Sequence, residues 1–221
     1  MNINEAINQR HSTRAFLDKP VSQQQIQRIL ELARHAPSGA NTQPWQVAVV
    51  SGQAKRELQQ RVEQAFNDGV KSQIAYQYYP IHWKPIYKSR QRECGLQLYR
   101  SLNIAKQDSE KRQAQWAANY RAFDAPVMLL FFIDPEMETG SFLDYGMFLQ
   151  SVMLAAMEEG LATCAQAALA DYPNIIKQTL DYNAEATLIC GMALGYEDLD
   201  AEVNKYRTAR ESVDNFTQYF D

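Results

Sequence analysis

The chain has 221 residues, of which 46% are hydrophobic and 22% are charged, and its formal net charge is −4 at pH 7. This length and apolar content are typical of one globular domain, spanning residues 1–221, with a sizeable core. The mild net acidity argues against a nucleic-acid-binding protein and is compatible with locally basic pockets.

No segment has the features of an export signal or a membrane span. Residues 1–5 lack the basic and apolar regions of a signal peptide. The longest apolar stretch, residues 142–157, contains Asp144 and is too short for a membrane span. We therefore expect a cytoplasmic protein without membrane or nucleic-acid partners.

The cysteines and histidines favour neither a disulfide framework nor a metal site. The three cysteines are far apart and have no CxxC spacing, which predicts small buried hydrophobes in a reducing compartment. The three histidines are separated from one another in the sequence, so we expect neither a metal centre nor a histidine-based triad.

The first third of the chain predicts two helices and a strand. Residues 2–9 have the pattern of a short amphipathic helix. Ser22 and Gln25 have the spacing of a capping box and begin a second helix that Pro37 ends. Residues 45–50 are typical of a half-buried strand that Gly52 stops. The apolar face of the second helix consists of Ile26, Ile29, Leu30 and Ala33.

The middle of the chain is mainly helical around one irregular segment. Residues 54–70 predict a helix, and residues 94–120 predict helical structure interrupted near Asn103. Residues 74–92 are rich in tyrosine, tryptophan and proline and have no clean period. We interpret this aromatic segment as a loop with at most broken helix, of the kind that often lines a binding site.

The last part of the chain predicts two more strands around a long helix. Residues 126–133 and 187–195 are continuous apolar runs, and the first is expected to be a central strand. Residues 142–159 form a strongly apolar helix with Gly160 at its C-terminal cap. The pattern favours an α+β fold with a sheet covered by helices, and the tail from residue 204 is unusually aromatic.

Two short segments in the first fifth of the chain predict a socket for a flat, phosphorylated cofactor. Arg10 and Arg14 flank Ser12, and arginine forks bind phosphate bidentately. Residues 36–45 combine small residues, which permit close backbone approach, with the amides of Asn41 and Gln43. The alternatives are a solvated basic helix end and an ordinary helix–strand turn. Dinucleotide-fold, P-loop, zincin and nucleophile-elbow motifs are absent.

Four segments together resemble the nitroreductase family of flavin mononucleotide (FMN) enzymes. They are residues 10–14, residues 37–45, residues 160–166 after the long apolar helix, and residues 207–210 before the aromatic tail. Their order and spacing match those of the family from end to end, so the resemblance covers essentially the whole chain. Residues 79–99 are similar to the nitroarene and nitrobenzoate reductase group, although this match is less specific.

The resemblance implies a homodimer of nitroreductase-like α+β subunits with two FMN sites at the subunit interface. Each subunit would have a central mixed sheet covered by helices and a C-terminal segment that wraps its partner. The implied cofactor-binding residues of one subunit are Arg10, His11, Ser12, Arg14, Ala165, Gln166, Ala167, Arg207 and Arg210. Those of the other subunit are Pro37, Ser38, Gly39, Asn41 and Gln43.

The implied reaction is a ping-pong reduction. NADH or NADPH delivers a hydride to the flavin, and an electron-poor substrate such as a nitroarene then takes the same place. No catalytic side chain is assigned, because the flavin carries the chemistry. Ala165 and Ala167 stand where some relatives have glycine or hydroxyl residues, so flavin hydrogen bonds there would come from the backbone or Gln166.

The aromatic segment is the predicted substrate pocket. Tyr76, Trp83 and Tyr87 could stack on a flat ring, and Arg90 could bind a carboxylate. Packing in the core or in a dimer interface is the alternative for these residues. Other reactions on the same flavin scaffold, such as enoate reduction or dehalogenation, and a non-catalytic FMN-binding protein are the alternative functions.

Overall fold

Four strands form the centre of the structure, a computed structural model that describes residues 1–221. They pair into one sheet in the order β1–β2–β4–β3. All three pairings are antiparallel, and parallel pairing is confined to an isolated bridge between Ser12 and Thr163. The strands are β1 (Gln46–Ser51), β2 (Val127–Ile133), β3 (Ala162–Gln166) and β4 (Thr187–Gly195).

Helices cover both faces of this sheet, which confirms the α+β class. None of them is both long and apolar enough to cross a membrane. The helices are α1 (Ile3–Gln9), α2 (Gln23–Ala33), α3 (Gly52–Asn67), α4 (Pro85–Ser101), α5 (Ser109–Ala117), α6 (Thr139–Glu158), α7 (Pro173–Leu180) and α8 (Glu202–Lys205). Within the chain the sheet is antiparallel rather than mixed, because runs of apolar residues predict strands without predicting their direction.

The central strand β2 divides the core into two layers. All seven of its residues are buried, as expected for a strand covered on both faces. Met128 and Leu130 pack with α3 and α7 on one face, whereas Leu129 and Phe131 pack with α2 and α6 on the other. The alternation of side chains along β2 therefore determines which helices cover which face.

Capping residues at two helix ends agree with the sequence predictions. The Ser22 hydroxyl accepts the backbone N–H of Gln25, and the Gln25 side chain accepts the N–H of Ser22, which completes the predicted capping box. Gly160, with φ +69°, follows α6 as a left-handed cap. However, α2 ends at Ala33, before Pro37.

Three other features differ from the sequence predictions. The aromatic segment contains the start of α4 at Pro85; this helix has no buried residue, so it carries no apolar period that the sequence could display. Strand β3 was not predicted as a strand, because it is only five residues long and lacks a clear alternation. Cys94 is exposed, whereas Cys164 and Cys190 are buried as expected.

Candidate functional site

The segment from Arg10 to Arg14 lies extended between β3 and the C-terminal part of the chain. The backbone N–H of Thr13 donates to the Thr163 carbonyl at 3.0 Å. The N–H of Arg14 donates to Asn204 Oδ1 at 2.8 Å. Side chains alternate along an extended segment, so the even-numbered residues share one side while Thr13 is buried on the other.

Arg10 and Arg210 are near enough for their charges to interact, and neither forms an ion pair with a carboxylate of the chain. Burial of the Arg10 side chain, together with the charge of Arg210, lowers the Arg10 pKa. Arg210 donates only to Thr208 and to the carbonyl of Ala209 beside it. Two guanidinium groups held close enough to repel one another are stabilised by an anion. These residues are 200 positions apart, so only folding brings them together.

Arg14 is fixed on three sides. Its Nη1 donates to the Tyr206 hydroxyl at 3.1 Å and to the Ser12 carbonyl at 3.2 Å. Its guanidinium carbon lies 5.9 Å from the centroid of the Phe123 ring. Burial raises the pKa of Tyr206, and the charge of Arg14 opposes that rise. These contacts therefore hold the Arg14 guanidinium group in position without a ligand.

His11 points away from this cationic side. Its Nδ1 lies 3.0 Å from the Gln9 carbonyl, and its Nε2 lies 2.8 Å from Glu197 Oε1. Both ring nitrogens therefore already have partners within the chain. His11 braces the segment against the turn after β4 instead of facing the candidate site with its neighbours.

The end of β3 has two small, partly exposed residues on either side of a buried amide side chain. Gln166 is only 3% exposed, and its Nε2 donates to the Asn119 carbonyl at 2.8 Å. Its Oε1 has no hydrogen-bond partner. Ala165 is exposed and Ala167 is half-buried. Hydrogen bonds to a ligand beside β3 would therefore come from the backbone of Ala165 and Ala167, because the Gln166 amide nitrogen is already engaged.

The loop from Pro37 to Gln43 lies elsewhere, against the start of α6. The Gly39 N–H donates to Asp144 Oδ1 at 3.1 Å, and the Gln43 N–H donates to the Ser38 hydroxyl at 3.0 Å. Asn41 and Gln43 have positive φ angles and are exposed, and Gln43 Nε2 donates to the Asn41 carbonyl at 3.1 Å. None of the loop's side-chain hydrogen bonds reaches residues 10–14 or β3. One chain therefore assembles only part of the predicted socket.

Of the two C-terminal arginines, Arg210 is the one whose charge lowers the Arg10 pKa. Arg207 instead donates to the carbonyls of Asn204 and Tyr206, at 2.7 and 3.0 Å. Arg207 therefore stabilises the turn that carries Tyr206.

Sequence reasoning missed the residues that hold the segment in place. Asn204 is 3% exposed, and its Nδ2 donates to the carbonyls of Ala15 and Asp198, at 2.8 and 2.9 Å. Tyr206 and Glu197 also hold this segment, through Arg14 and His11, whereas Asn119 holds the Gln166 side chain at the end of β3. None of them belongs to a recognisable motif, and we find no sequence signal that identifies them.

The aromatic segment contains residues in different environments. The Tyr76 hydroxyl donates to the Ile189 carbonyl, its ring lies edge-on to Phe142, and burial raises its pKa. Trp83 is half-buried, and Tyr87 is 51% exposed. Tyr76 is therefore an anchor to the core, while Trp83 and Tyr87 keep exposed ring surface.

Arg90 already binds a carboxylate within the chain. Its guanidinium pairs with Glu211, next to Arg210 in the sequence. Hydrogen bonds from Asn215 and Arg90 lower the pKa of Glu211. This ion pair ties α4 to the C-terminal segment that carries Arg210.

Comparison with known proteins identifies the family. The family model described as the nitroreductase family matches residues 7–196. The chain belongs to the nitroreductase family. It is 39% identical over 210 residues to a 4-nitrobenzoate reductase of Pseudomonas putida, an alignment that covers 95% of this chain and 92% of the relative. It is 33% identical over 220 residues to a nitrobenzene nitroreductase of Ectopseudomonas oleovorans, covering 98% and 96% respectively.

A solved structure of this family shares the fold over the full length. It is the FMN- and NADPH-dependent nitroreductase NfnB from sphigopyxis sp. strain HMH. The two chains superpose with a TM-score of 0.97 at 38% identity, and each is covered completely. The similarity therefore includes the irregular aromatic segment and the C-terminal tail as well as the sheet.

Proposed function

We propose that this member of the nitroreductase family is an FMN-dependent oxidoreductase that reduces nitroaromatic compounds with NADH or NADPH. The uncompensated pair of Arg10 and Arg210 beside the fixed fork of Arg14 carries the proposal. The phosphate of FMN has close to two negative charges, and charge-assisted hydrogen bonds to it are worth about 1.5–3 kcal/mol each. The relatives named above act on substrates of the same class.

The residues present fit FMN. Arg10, Arg14 and Arg210, with the Ser12 hydroxyl, would hold the phosphate and ribityl end. The partly exposed residues Ala165 and Ala167 would line the ring. Bound FMN would supply the hydride-transfer chemistry, while the protein binds, orients and shields the reactants. No acid or base side chain is assigned a step.

We also propose a homodimer in which each FMN site is completed by the partner's residues 37–43. That loop is exposed and lies apart from the arginines of its own chain, which is the arrangement a shared site requires. The backbone of Asn41 and the amide of Gln43 would then meet the cofactor from the second subunit. The oligomeric state is measurable by sedimentation with and without FMN.

An open edge of the sheet supports the same assembly. Strand β1 pairs on one side only, and a groove of about 670 Å³ runs between it and α2. Its lining includes Ile26, Leu30, Trp45, Val47 and Phe148. The C-terminal Phe216, Tyr219 and Phe220 are all strongly exposed, so we propose that the partner's tail occupies this groove.

The substrate would lie against the aromatic segment. Trp83 and Tyr87 retain exposed ring surface for a flat nitroarene, Arg90 remains a candidate for its carboxylate, and Tyr76 would support the pocket from the core. We place the enzyme in the cytoplasm, since its three cysteines are free and Cys94 is exposed.

An absorbance spectrum of the purified protein tests the function directly. We expect flavin bands that bleach on anaerobic addition of NADH or NADPH and return when a nitroarene is added. Bound flavin that neither nucleotide reduces would instead indicate a non-catalytic FMN-binding protein. A colourless protein that takes up no added FMN would contradict the proposed site as well.

A further inference from the structure

Helix α4 and its N-terminal cap residue carry a stripe of three cations. Lys84, Lys88 and Arg92 recur at intervals of four residues and are all exposed. Residues four apart lie on the same face of a helix, so these side chains form one row about 12 Å long. Residues 84–92 contain four cations and no carboxylate, although the whole chain has a net charge of −4.

This arrangement of positive charges destabilises the helix. Lys84 is the N-terminal cap and Lys88 lies in the first turn, where the helix dipole disfavours positive charge. Like charges four residues apart on a helix also repel one another. None of the three forms an ion pair; Lys88 donates only to the amide oxygen of Gln91. A stripe of this kind is stabilised by binding an anionic ligand.

The remaining cation of this segment faces the other way. Arg90 lies two residues from both Lys88 and Arg92, which turns it to the opposite side of the helix, where it pairs with Glu211. That ion pair fastens α4 beside Arg210, at the border of the cationic site, and leaves the stripe facing solvent. Aromatic surface lies next to it, because Lys88 Nζ is 5.3 Å from the Trp83 ring and Tyr87 is half exposed.

Taken with the proposed function, on which this inference rests, the geometry points to the hydride donor as the anion. We propose that Lys84, Lys88 and Arg92 bind the 2′-phosphate end of NADPH and so select NADPH over NADH. A cluster of three cations matches the 2′-phosphate of NADPH, which carries up to two negative charges, better than the single carboxylate of a nitrobenzoate. The 2′-phosphate is the only group that distinguishes the two donors.

The double variant Lys88→Gln/Arg92→Gln tests this proposal in the FMN-loaded protein. Calorimetry with NADP⁺ and NAD⁺ gives the two dissociation constants without turnover, and steady-state kinetics give the KM of each reduced donor. We expect the variant to bind NADP⁺ about 10-fold more weakly or worse. Its affinity for NAD⁺ and its KM for NADH should change less than about twofold, because NADH lacks the 2′-phosphate charge.

The matched control is Arg56→Gln/Lys111→Gln, which removes the same net charge from α3 and α5 and should leave both nucleotides unaffected. Equal weakening of NADP⁺ and NAD⁺ binding, or an unchanged NADP⁺ affinity, would overturn the proposal. Wild-type protein whose flavin neither donor reduces would contradict the proposed function instead, so the two failures are distinguishable. Flavin content and Tm verify that the variant is folded.

Discussion

Arg10 is the residue that most directly links sequence to cofactor. Its side chain is partly buried, it repels Arg210, and no carboxylate neutralises it. We expect Arg10→Ala to raise the dissociation constant for FMN roughly 10- to 150-fold, the loss of one charge-assisted phosphate contact. Titration of the apoprotein by flavin fluorescence measures this. Arg56→Ala, which removes an arginine bonded only to Gln53 of its own helix, is the control. Equal affinities in the two variants would exclude Arg10 from the phosphate site.

The Arg90–Glu211 ion pair is expected to affect how strongly the enzyme binds a charged substrate. The residue already binds the carboxylate of Glu211, so a substrate carboxylate would compete for the same fork. We expect Glu211→Gln to lower the KM for 4-nitrobenzoate relative to that for nitrobenzene, and Arg90→Ala to raise it. The exposed pair is weak, so each change should be about fivefold or less. Parallel effects on both substrates would show that Arg90 only anchors α4.

At the level of secondary-structure elements, β4 depends on close approach to the turn that follows β3. A Cβ atom at Gly191 would lie 2.2 Å from Leu169 Cδ1 and 3.0 Å from its Cβ. Leu169 is completely buried, so it has little room to move. We expect Gly191→Ala to reduce the free energy of unfolding by about 1–3 kcal/mol, measured by urea denaturation.

Gly95→Ala is the matched control for Gly191→Ala. It lies within α4, and a Cβ atom added there would have no heavy atom within 4 Å. Gly95→Ala should therefore be neutral or stabilise the protein by up to about 1 kcal/mol through helix propensity. If Gly191→Ala left the free energy of unfolding unchanged, β4 and the turn after β3 could move apart without loss of stability.

For the molecule as a whole, buried thiol and phenol groups predict a loss of stability at alkaline pH. Burial raises the pKa of Cys190 to about 12 and also raises the pKa values of Tyr76 and Tyr145. Above the ordinary pKa of each group the unfolded chain releases a proton that the folded chain keeps. Stability therefore falls as pH rises, by about 1.4 kcal/mol per pH unit for each such group.

The contribution of one thiol can be isolated. Between about pH 9 and pH 11, Cys190→Ala should flatten the decline in unfolding free energy by about 1.4 kcal/mol per pH unit. Its stability at neutral pH should be lower, because the substitution leaves a small cavity. Cys94→Ala removes an exposed thiol and should leave the slope unchanged. Identical slopes for all three proteins would show that Cys190 is ionised in the folded state.

Much of the architecture was available from the sequence because its signals are local. The capping box at Ser22, the left-handed Gly160 and the apolar run of β2 each act within one element, and each is confirmed. The four motif segments, taken together, also indicated the family without a structure. By contrast, α4 has no buried face, so its apolar residues follow no helical period.

Only the tertiary structure determined which of the predicted site residues come together. Nothing in the local pattern indicates that the charge of Arg210 acts on Arg10, that Arg90 pairs with Glu211, or that His11 contacts Glu197. Likewise, sequence patterns predicted strands without their antiparallel order. The sequence by itself determined the family, the cofactor chemistry and most elements, since periodicity, caps and turns depend on neighbouring residues. Long-range packing decided the assembly of the site, because contacts across 200 residues arise only when the chain closes on its core.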